Sequence, residues 1–192
     1  MKLLHLDSSI LGQNSASRPL SAAIVARWQN AVPGLQVRHR DLAAQPLPHL
    51  GAGSLAGSDP AEAAEAERVM QEFLEADVVV IGAPMYNFSV PSTLKAWIDR
   101  VAVAGRTFRY TEHGPQGLAG GKLVIIASTR GGFHQGGTTD FQEPYLRQVF
   151  GFLGITDIEF VRAEGLAMSP QQRQDAMAAA HASIRTPLAR AA

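Results

Sequence analysis

The chain has 192 residues, of which 46% are hydrophobic, and its 17 basic and 17 acidic side chains give no formal net charge at pH 7. This length predicts a single domain over residues 1–192. The charge balance argues against nucleic acid or an anionic membrane as the main partner, because both usually select a basic excess. No cysteine is present, which excludes disulfides, thiolate metal sites and cysteine nucleophiles.

The amino terminus becomes polar too early for a signal peptide, since its short apolar stretch ends at Asp7. No apolar segment approaches the roughly 18 residues that a membrane-spanning helix requires. The absence of cysteine also fits a reducing compartment. We therefore expect a cytoplasmic protein without a membrane partner.

The first half of the chain alternates between strand and helix. Its predicted elements are a strand over 2–6, a helix over 18–31, a strand over 35–42, a helix over 61–76 and a strand over 77–83. A long polar, glycine-rich connection precedes the second helix, which Asp59 is expected to cap. The continuous β-branched run 77–83 is typical of a parallel strand covered on both faces, and Pro84 is expected to end it.

The second half continues the alternation. Its predicted elements are a helix from Ser92 to about 104, a short hairpin within 106–121, a strand over 122–128, a helix over 144–153, a strand over 157–163 and a closing helix from Ser169 to about 190. In the first of these helices an apolar stripe recurs at helical spacing, formed by Leu94, Trp97, Ile98 and Val101.

This alternation predicts an α/β fold, with five parallel strands joined by right-handed crossovers and helices on both faces of the sheet. The rhythm fits the flavodoxin-like strand order 2-1-3-4-5, whose switch point lies between the first and third strands. Half of a Rossmann fold is the alternative. No Gly-x-Gly-x-x-Gly follows the first strand, which favours the flavodoxin-like order.

In that order the loops after the first, third and fourth strands open at one edge of the sheet. The first loop places Ser9, Ser15 and Ser17 at the start of a helix. Hydroxyls, free backbone N–H groups and the positive end of the helix dipole together form a site for a phosphate. Alternatively, Ser15 or Ser17 is simply the N-cap.

The other two loops offer large side chains and glycines. Met85-Tyr86-Asn87-Phe88 follows the central strand, where its side chains either contact a ligand or fold back on the core. Arg130-Gly131-Gly132 follows the fourth strand; paired glycines let the backbone approach a planar ring and direct N–H groups at it. The same glycines could form a plain turn, and Arg130 could pair with a carboxylate.

Several of these segments resemble one family. The matching stretches are the loop 8–17, Ala83 to Phe88, Thr107 to Glu112, Arg130 to Gly132, and Gly151 to Asp157. Together they resemble the FMN-dependent NADH-azoreductases, which are also described as NADH:quinone oxidoreductases. The resemblance runs nearly end to end and in the same order. One departure is Thr129, where the family carries serine and a hydroxyl is retained.

The resemblance implies a flavodoxin-like homodimer with one FMN per subunit, which transfers two electrons by a ping-pong reaction from NADH or NADPH to quinones, azo compounds or nitroaromatics. It implies that Ser9, Ser15, Ala16 and Ser17 bind the phosphate. Met85, Tyr86, Asn87 and Phe88 then contact the ring system, and Thr129, Arg130, Gly131 and Gly132 surround its pyrimidine end. It also makes the stripe from Leu94 to Val101 a candidate dimer interface, although the same residues could pack on the sheet.

Phe88, Tyr110 and His134 are candidates for the substrate pocket. His134 could donate a proton to the reduced product, or it could be an ordinary surface residue. The alternative function is an electron carrier of the flavodoxin type, for which a charged docking surface is expected and the neutral chain is unfavourable. A phosphate-binding hydrolase is disfavoured, because neither a cysteine nor a Gly-x-Ser-x-Gly elbow is present.

Overall fold

The computed structural model describes residues 1–185 and 187. Its strands, in chain order, are β1 (Lys2–Asp7), β2 (Gln36–Asp41), β3 (Val78–Pro84), β4 (Phe108–Thr111), β5 (Gly114–Gly117), β6 (Leu123–Thr129) and β7 (Asp157–Ala163). Five of them form a parallel sheet in the order β2-β1-β3-β6-β7, while β4 and β5 form a separate antiparallel hairpin. The predicted order 2-1-3-4-5 is therefore confirmed once the hairpin strands are left out of the count.

The helices lie on both faces of this sheet. They are α1 (Ser17–Ala31), α2 (Ala52–Ala56), α3 (Pro60–Glu75), α4 (Ser92–Val101), α5 (Gln142–Phe152) and α6 (Pro170–Ser183). Helices α1 and α6 cover one face and α3, α4 and α5 cover the other, so the molecule has two apolar cores. Alternate side chains of β3 enter opposite cores, and all seven of its residues are buried. This confirms that the central strand is covered on both sides.

Several predicted boundaries moved for local reasons. Helix α4 ends at Val101, three residues earlier than expected, because the Thr107 hydroxyl donates to the Val101 carbonyl at 2.5 Å and replaces the next helical bond. Ser92 is its first residue and its side chain makes no capping bond. The predicted caps Asp59 and Ser169 are confirmed, since each accepts backbone N–H groups of its helix.

Three further details differ from the sequence prediction. The connection after β2 contains the five-residue helix α2, which is too short to produce an apolar period. Pro84 is the last residue of β3 rather than the first of the loop, a position where its missing N–H costs little. Helix α6 ends at Ser183 because Ile184 is extended, so the predicted continuation is wrong at 184 and 185; positions 186 and 188–190 of that prediction lie outside the described residues.

The apolar stripe of α4 lies within the subunit. Leu94, Trp97 and Val101 are fully buried, and Ile98 nearly so, in the core formed with α3 and α5. These side chains are therefore core residues, and the expectation that they form a dimer interface is corrected. No helix of the described chain is long and apolar enough to cross a membrane.

Candidate functional site

A cleft lies at the carboxyl edge of the sheet, where the loops after β1, β3 and β6 meet. Its walls come from residues within the segments 9–16, 84–86, 129–131 and 166–167, with Arg173 of α6. The cleft has a volume of about 160 Å³, which is below the roughly 300–1,000 Å³ of enclosed ligand pockets. A ligand of nucleotide size must therefore lie along an open cleft and remain exposed on one side.

Larger cavities lie elsewhere but offer a different chemistry. One of about 480 Å³ separates β2 from α3 near the start of β1, and its charged residues are already paired, as in Arg38–Glu72 and Lys2–Glu75. Ligands of open α/β sheets bind beyond the carboxyl ends of the strands. The position and the free hydrogen-bond donors, rather than the volume, therefore identify the cleft as the candidate site.

The loop after β1 brings two serine hydroxyls to the cleft. Ser9 Oγ lies 3.2 Å from the Tyr86 hydroxyl, which links this loop to the one after β3. Ser15 Oγ accepts the N–H of Arg18 at 3.2 Å, so Ser15 does cap α1, and it also lines the cleft. Ser17 is buried behind it, with its hydroxyl 3.2 Å from that of Ser15.

The start of α1 supplies backbone donors as well. Among the hydrogen bonds of the described residues, none uses the N–H groups of Ala16 or Ser17 as donor. They stand at the positive end of a 15-residue helix, where unpaired N–H groups favour an anion. Because Ser17 is enclosed, its backbone rather than its hydroxyl is the group that can reach a ligand.

The loop after β3 is strained. Tyr86 and Ser89 exchange two backbone hydrogen bonds of 3.0 Å, and the two residues between them, Asn87 and Phe88, have φ angles of 48° and 68°. Two consecutive positive φ angles are the pattern of a type I′ turn, which normally takes asparagine or glycine. An aromatic residue in this region costs on the order of 1–3 kcal/mol, and such strain concentrates at ligand-binding sites.

This turn carries the Phe88 ring to the side chain of His134. The two ring centroids are 5.8 Å apart in an edge-to-face arrangement. His134 Nδ1 lies 2.9 Å from Thr139 Oγ1, which orients the imidazole. Two of the three predicted pocket residues are thus brought together. None of the three is among the residues that line the cleft, and Tyr110 projects from β4, largely exposed, against the Phe108 ring.

Arg130 is buried, and its guanidinium is enclosed by carboxylates. It contacts three carboxylates, those of Asp140 at 3.0 Å, Glu143 at 2.9 Å and Glu164 at 3.1 Å. Glu164 also accepts the N–H groups of His134 and Gln135, each at 2.9 Å. The alternative expectation, that Arg130 pairs with a carboxylate, is therefore the one observed. Because Glu164 binds both Arg130 and the backbone of the loop that carries His134, it connects the two.

The backbone after Arg130 offers a second group of free donors. The carbonyls of Gly131 and Gly132 accept the N–H groups of Ala167 and Gly165, at 3.0 and 2.9 Å. Their own N–H groups donate to no hydrogen bond within the described part of the chain. The arrangement holds the two glycines rigidly and leaves two N–H groups for a ligand, as in an anion-binding concavity.

Part of the cleft wall was missed by the sequence reasoning. Leu166, Ala167 and Arg173 follow the last strand and line the cleft beside Leu11 and Asn14. The loop after β7 ends at the same sheet edge as the other three, and Gly165 has a φ of 70°. A glycine just past a predicted strand was the signal that could have pointed to this segment.

Two groups of free N–H donors therefore stand at separate positions, one at the start of α1 and one after β6, and each has one member that lines the cleft, Ala16 and Gly131. Met85 and Tyr86 lie between them, and the Met85 N–H donates to the Thr129 carbonyl at 2.8 Å, which joins the two loops. This donor set fits a ligand with an anionic group at one end and a flat, polar-edged ring at the other.

Comparisons with known proteins agree with this geometry. A family model described as having a flavodoxin-like fold matches residues 1–188. An FMN-dependent NADH:quinone oxidoreductase of Stenotrophomonas maltophilia is 68% identical over 184 residues, which cover 96% of this chain and 94% of that protein. A second protein of that name, from Pseudomonas aeruginosa, is 60% identical and covers 96% of each chain.

Solved structures show the same architecture. A crystal structure of an azoreductase from Bacillus anthracis strain Sterne has a TM-score of 0.85 and 31% identity, with 96% of each chain covered. Another, of an FMN-dependent NADH-azoreductase from the Ames Ancestor strain in complex with FMN, has a TM-score of 0.85 over 96% of this chain and 98% of that one. Its identity of 22% supports the likeness of fold alone.

Proposed function

Because the chain belongs to the flavodoxin-like family of FMN-dependent NADH:quinone oxidoreductases, we propose that it uses NADH and FMN to reduce quinones and azo compounds. The membership expected from the sequence is thereby confirmed. The observation that carries the proposal for this chain is the pair of free donor groups on either side of Met85 and Tyr86, since that spacing of donors suits a mononucleotide with a planar head.

We place the phosphate of FMN at the start of α1. Ser9 and Ser15 offer hydroxyls there, and Ala16 and Ser17 offer backbone N–H groups. The segment from Met85 to Phe88 would hold the ring system. The backbone of the segment from Thr129 to Gly132 would hold its pyrimidine end, and Arg130 would contribute only main-chain atoms.

When bound, FMN supplies two-electron hydride chemistry, and the protein supplies position and electrostatics. The N–H groups of Gly131 and Gly132 are fixed before reaction by the bonds to Gly165 and Ala167. They can therefore stabilise negative charge on a neighbouring acceptor without reorganisation. No side chain of this chain is required as a general base.

The reductant and the oxidant are proposed to bind in turn at the exposed side of the cleft, which gives ping-pong kinetics. Phe88 and His134, whose rings are in edge-to-face contact, are the candidates for the residues that they meet there. His134 is also the candidate proton donor to the product. The proposal also covers NADPH as the reductant and nitroaromatics as oxidants. The residues of the described cleft give no reason to prefer NADH over NADPH, or quinones over nitroaromatics.

We also propose a homodimer in the cytoplasm. Large apolar side chains are exposed on the loops that surround the cleft: Ile10, Leu11, Phe88, Phe133 and Met168. Such a grouping is typical of an interaction surface. Tyr110, on its projecting hairpin, is then positioned to reach a partner's pocket. Sedimentation equilibrium of the FMN-loaded protein tests the dimer, and cell fractionation tests the location.

The activity is tested by anaerobic stopped-flow absorbance. The FMN-loaded protein is mixed first with NADH or NADPH and then with a quinone, an azo dye or a nitroaromatic. If the protein is an enzyme, the flavin absorbance falls rapidly with the nucleotide alone and returns when the second substrate is added. If it is a flavodoxin-type carrier, the absorbance falls slowly without a partner reductase, and that outcome contradicts the proposal.

The phosphate site is tested by Ser15→Asp. Aspartate preserves the N-cap of α1, but its charge opposes the phosphate, so we expect FMN affinity to fall at least about 100-fold. Ser169→Asp is the matched control, because Ser169 caps α6 in the same way. Fluorescence titration of the apoproteins with FMN measures both. Equal affinity in the two variants would place the phosphate elsewhere.

A further inference from the structure

A second polar cluster lies outside the cleft, on the strands β1 and β2. Each strand carries the pattern His-x-Asp: His5 and Asp7 on β1, and His39 and Asp41 on β2. The parallel register pairs His5 with His39 and Asp7 with Asp41. The four side chains therefore form a square array on one face of the sheet, beneath the first turns of α1.

Three donor atoms of this array converge. His39 Nε2 lies 3.0 Å from one oxygen of Asp7, and His5 Nε2 lies 3.5 Å from the other. The two imidazole centroids are 4.6 Å apart, and all three donor atoms fall within 4.8 Å of one another. Donors bound to one metal ion at about 2.0–2.2 Å are themselves separated by roughly 3–3.5 Å, and each imidazole nitrogen lies at such a distance from a different oxygen of the Asp7 carboxylate.

The surrounding charges permit a cation. Arg18 is the nearest positive side chain, 3.8 Å from Asp7, but its guanidinium is held by both oxygens of Asp41 at 2.6 and 2.8 Å. With the histidines neutral, the two carboxylates and Arg18 leave the array with one net negative charge. Ser21 donates to Asp7 at 2.9 Å and so orients the carboxylate from α1. The same hydroxyl lies 2.9 Å from His5 Nε2, so binding of a metal ion must displace it from that nitrogen.

We propose that His5, Asp7 and His39 form a binding site for Zn²⁺. Two imidazoles and one carboxylate are ligands that suit zinc and exclude magnesium and calcium, which prefer oxygen alone. His5 and Asp7 are buried, so they are fixed in place. The His39 side chain is half-exposed on the edge strand, so the ion can enter there and the imidazole can move toward His5 to complete the site. Water completes the coordination.

This site is separate from the FMN cleft, since none of its three ligands lines that cleft. Zinc bound there joins the edge strand β2 to β1. It is therefore expected to stabilise the folded protein in proportion to its affinity. The proposal does not depend on the redox activity.

The experiment is a zinc titration of the FMN-loaded protein without a histidine tag, in competition with a chromogenic chelator. We expect one Zn²⁺ per chain. His39→Asn removes a ligand at an exposed edge position, so the fold is retained and affinity falls at least about 100-fold. His113→Asn is the matched control, because the His113 imidazole is exposed and lies 3.4 Å from the Glu112 carboxylate, away from the proposed site.

Two further readouts separate coordination from a structural role. Zinc is expected to raise the melting temperature of the wild type and of His113→Asn but not of His39→Asn. Co²⁺ in place of zinc is expected to give visible d–d absorption that His39→Asn abolishes. The absence of stoichiometric zinc, or an equal loss of affinity in both variants, overturns the proposal; unchanged FMN absorbance shows that each variant is folded.

Discussion

Phe88 has a backbone conformation that aromatic residues seldom adopt, with a φ of 68°. Its side chain is half exposed and contacts His134, so little apolar burial compensates for the strain. The simplest explanation for an aromatic residue at this position is that the ring itself is needed there, although it lowers the stability of the turn. Such strain concentrates at functional loops, which agrees with the proposed role of Phe88.

We expect Phe88→Gly to raise the free energy of unfolding by about 1 kcal/mol, because glycine adopts positive φ without steric cost. The same change removes the ring that contacts His134, and we expect quinone reduction to slow because both residues are candidates for the substrate pocket. Urea denaturation of the apoprotein and steady-state kinetics measure the two effects.

Phe133→Gly is the control for that change. Phe133 is also an exposed aromatic residue, in the loop after β6, but its φ is not positive. This variant should lose stability, since glycine adds freedom to the unfolded chain. If Phe88→Gly loses as much stability as Phe133→Gly, the strain at Phe88 does not exist.

Asp41 makes the stability dependent on pH. The Arg18 guanidinium and, to a lesser extent, the N–H groups of Ala43 and Ala44 lower the pKa of this carboxyl to about 2. A carboxyl whose pKa is lowered by folding contributes stability above its unfolded pKa of about 4. That contribution is lost as the pH falls from about 4 through 2.

We expect Asp41→Asn to cost about 1 kcal/mol near neutral pH, since the pair is partly exposed and screened. Asparagine keeps the oxygen that accepts the two N–H groups, so the change isolates the charge. The free energy of unfolding, measured by denaturation at several pH values between about 6 and 3, should then fall less steeply with decreasing pH than that of the wild type. Arg18→Gln should flatten the dependence similarly; an undiminished dependence in both variants contradicts the assignment.

At the scale of elements, the β4–β5 hairpin is held by a close backbone contact. A Cβ on Gly117 would stand 2.1 Å from the backbone nitrogen of Gly154, in the turn between α5 and β7. The Ala119 N–H also donates to the Leu153 carbonyl at 2.9 Å. Glycine at 117 is therefore a packing requirement that fixes the hairpin, and with it Tyr110, on the domain.

Gly117→Ala should displace the hairpin and lower the free energy of unfolding by at least about 2 kcal/mol, since backbone rather than a flexible side chain must move. Protease cleavage near Tyr110 should become faster. Gly151→Ala is the control, because Gly151 lies in α5 with open space at the Cβ position. It should be neutral or stabilising by up to about 1 kcal/mol. Equal effects of the two changes would disprove the close contact.

At the scale of the whole molecule, the single domain over 1–192 stays a prediction that the two cores make testable. Trp28 lies in the core under α1 and α6, and Trp97 lies in the core under α3, α4 and α5. Because β3 contributes to both cores, we expect them to unfold together.

Trp28→Phe and Trp97→Phe each leave one fluorescent reporter, on opposite faces of the sheet. Fluorescence and far-ultraviolet circular dichroism of the two apoproteins should give coincident urea transitions within each variant, as expected for a two-state domain. Fluorescence and dichroism midpoints that differ within either variant would show that the two layers unfold separately.

The sequence alone determined the main strands and helices, the order of the sheet and three of the four loops that form the cleft. These follow from local causes: the β-branched run before Pro84, the caps at Asp59 and Ser169, and the serines after the first strand. Such signals lie within a few residues of one another, so they can be read without knowing what packs against them.

Only the tertiary structure decided what those residues contact. The burial of the Leu94–Val101 stripe in the subunit's own core, the three carboxylates around Arg130 and the alignment of His39 with Asp7 all join residues distant in sequence. One of these carboxylates lies in α5, one just before α5 and one just after β7. No spacing along the sequence predicts that they meet. Contacts of this kind depend on strand register and helix packing, which the folded molecule alone establishes.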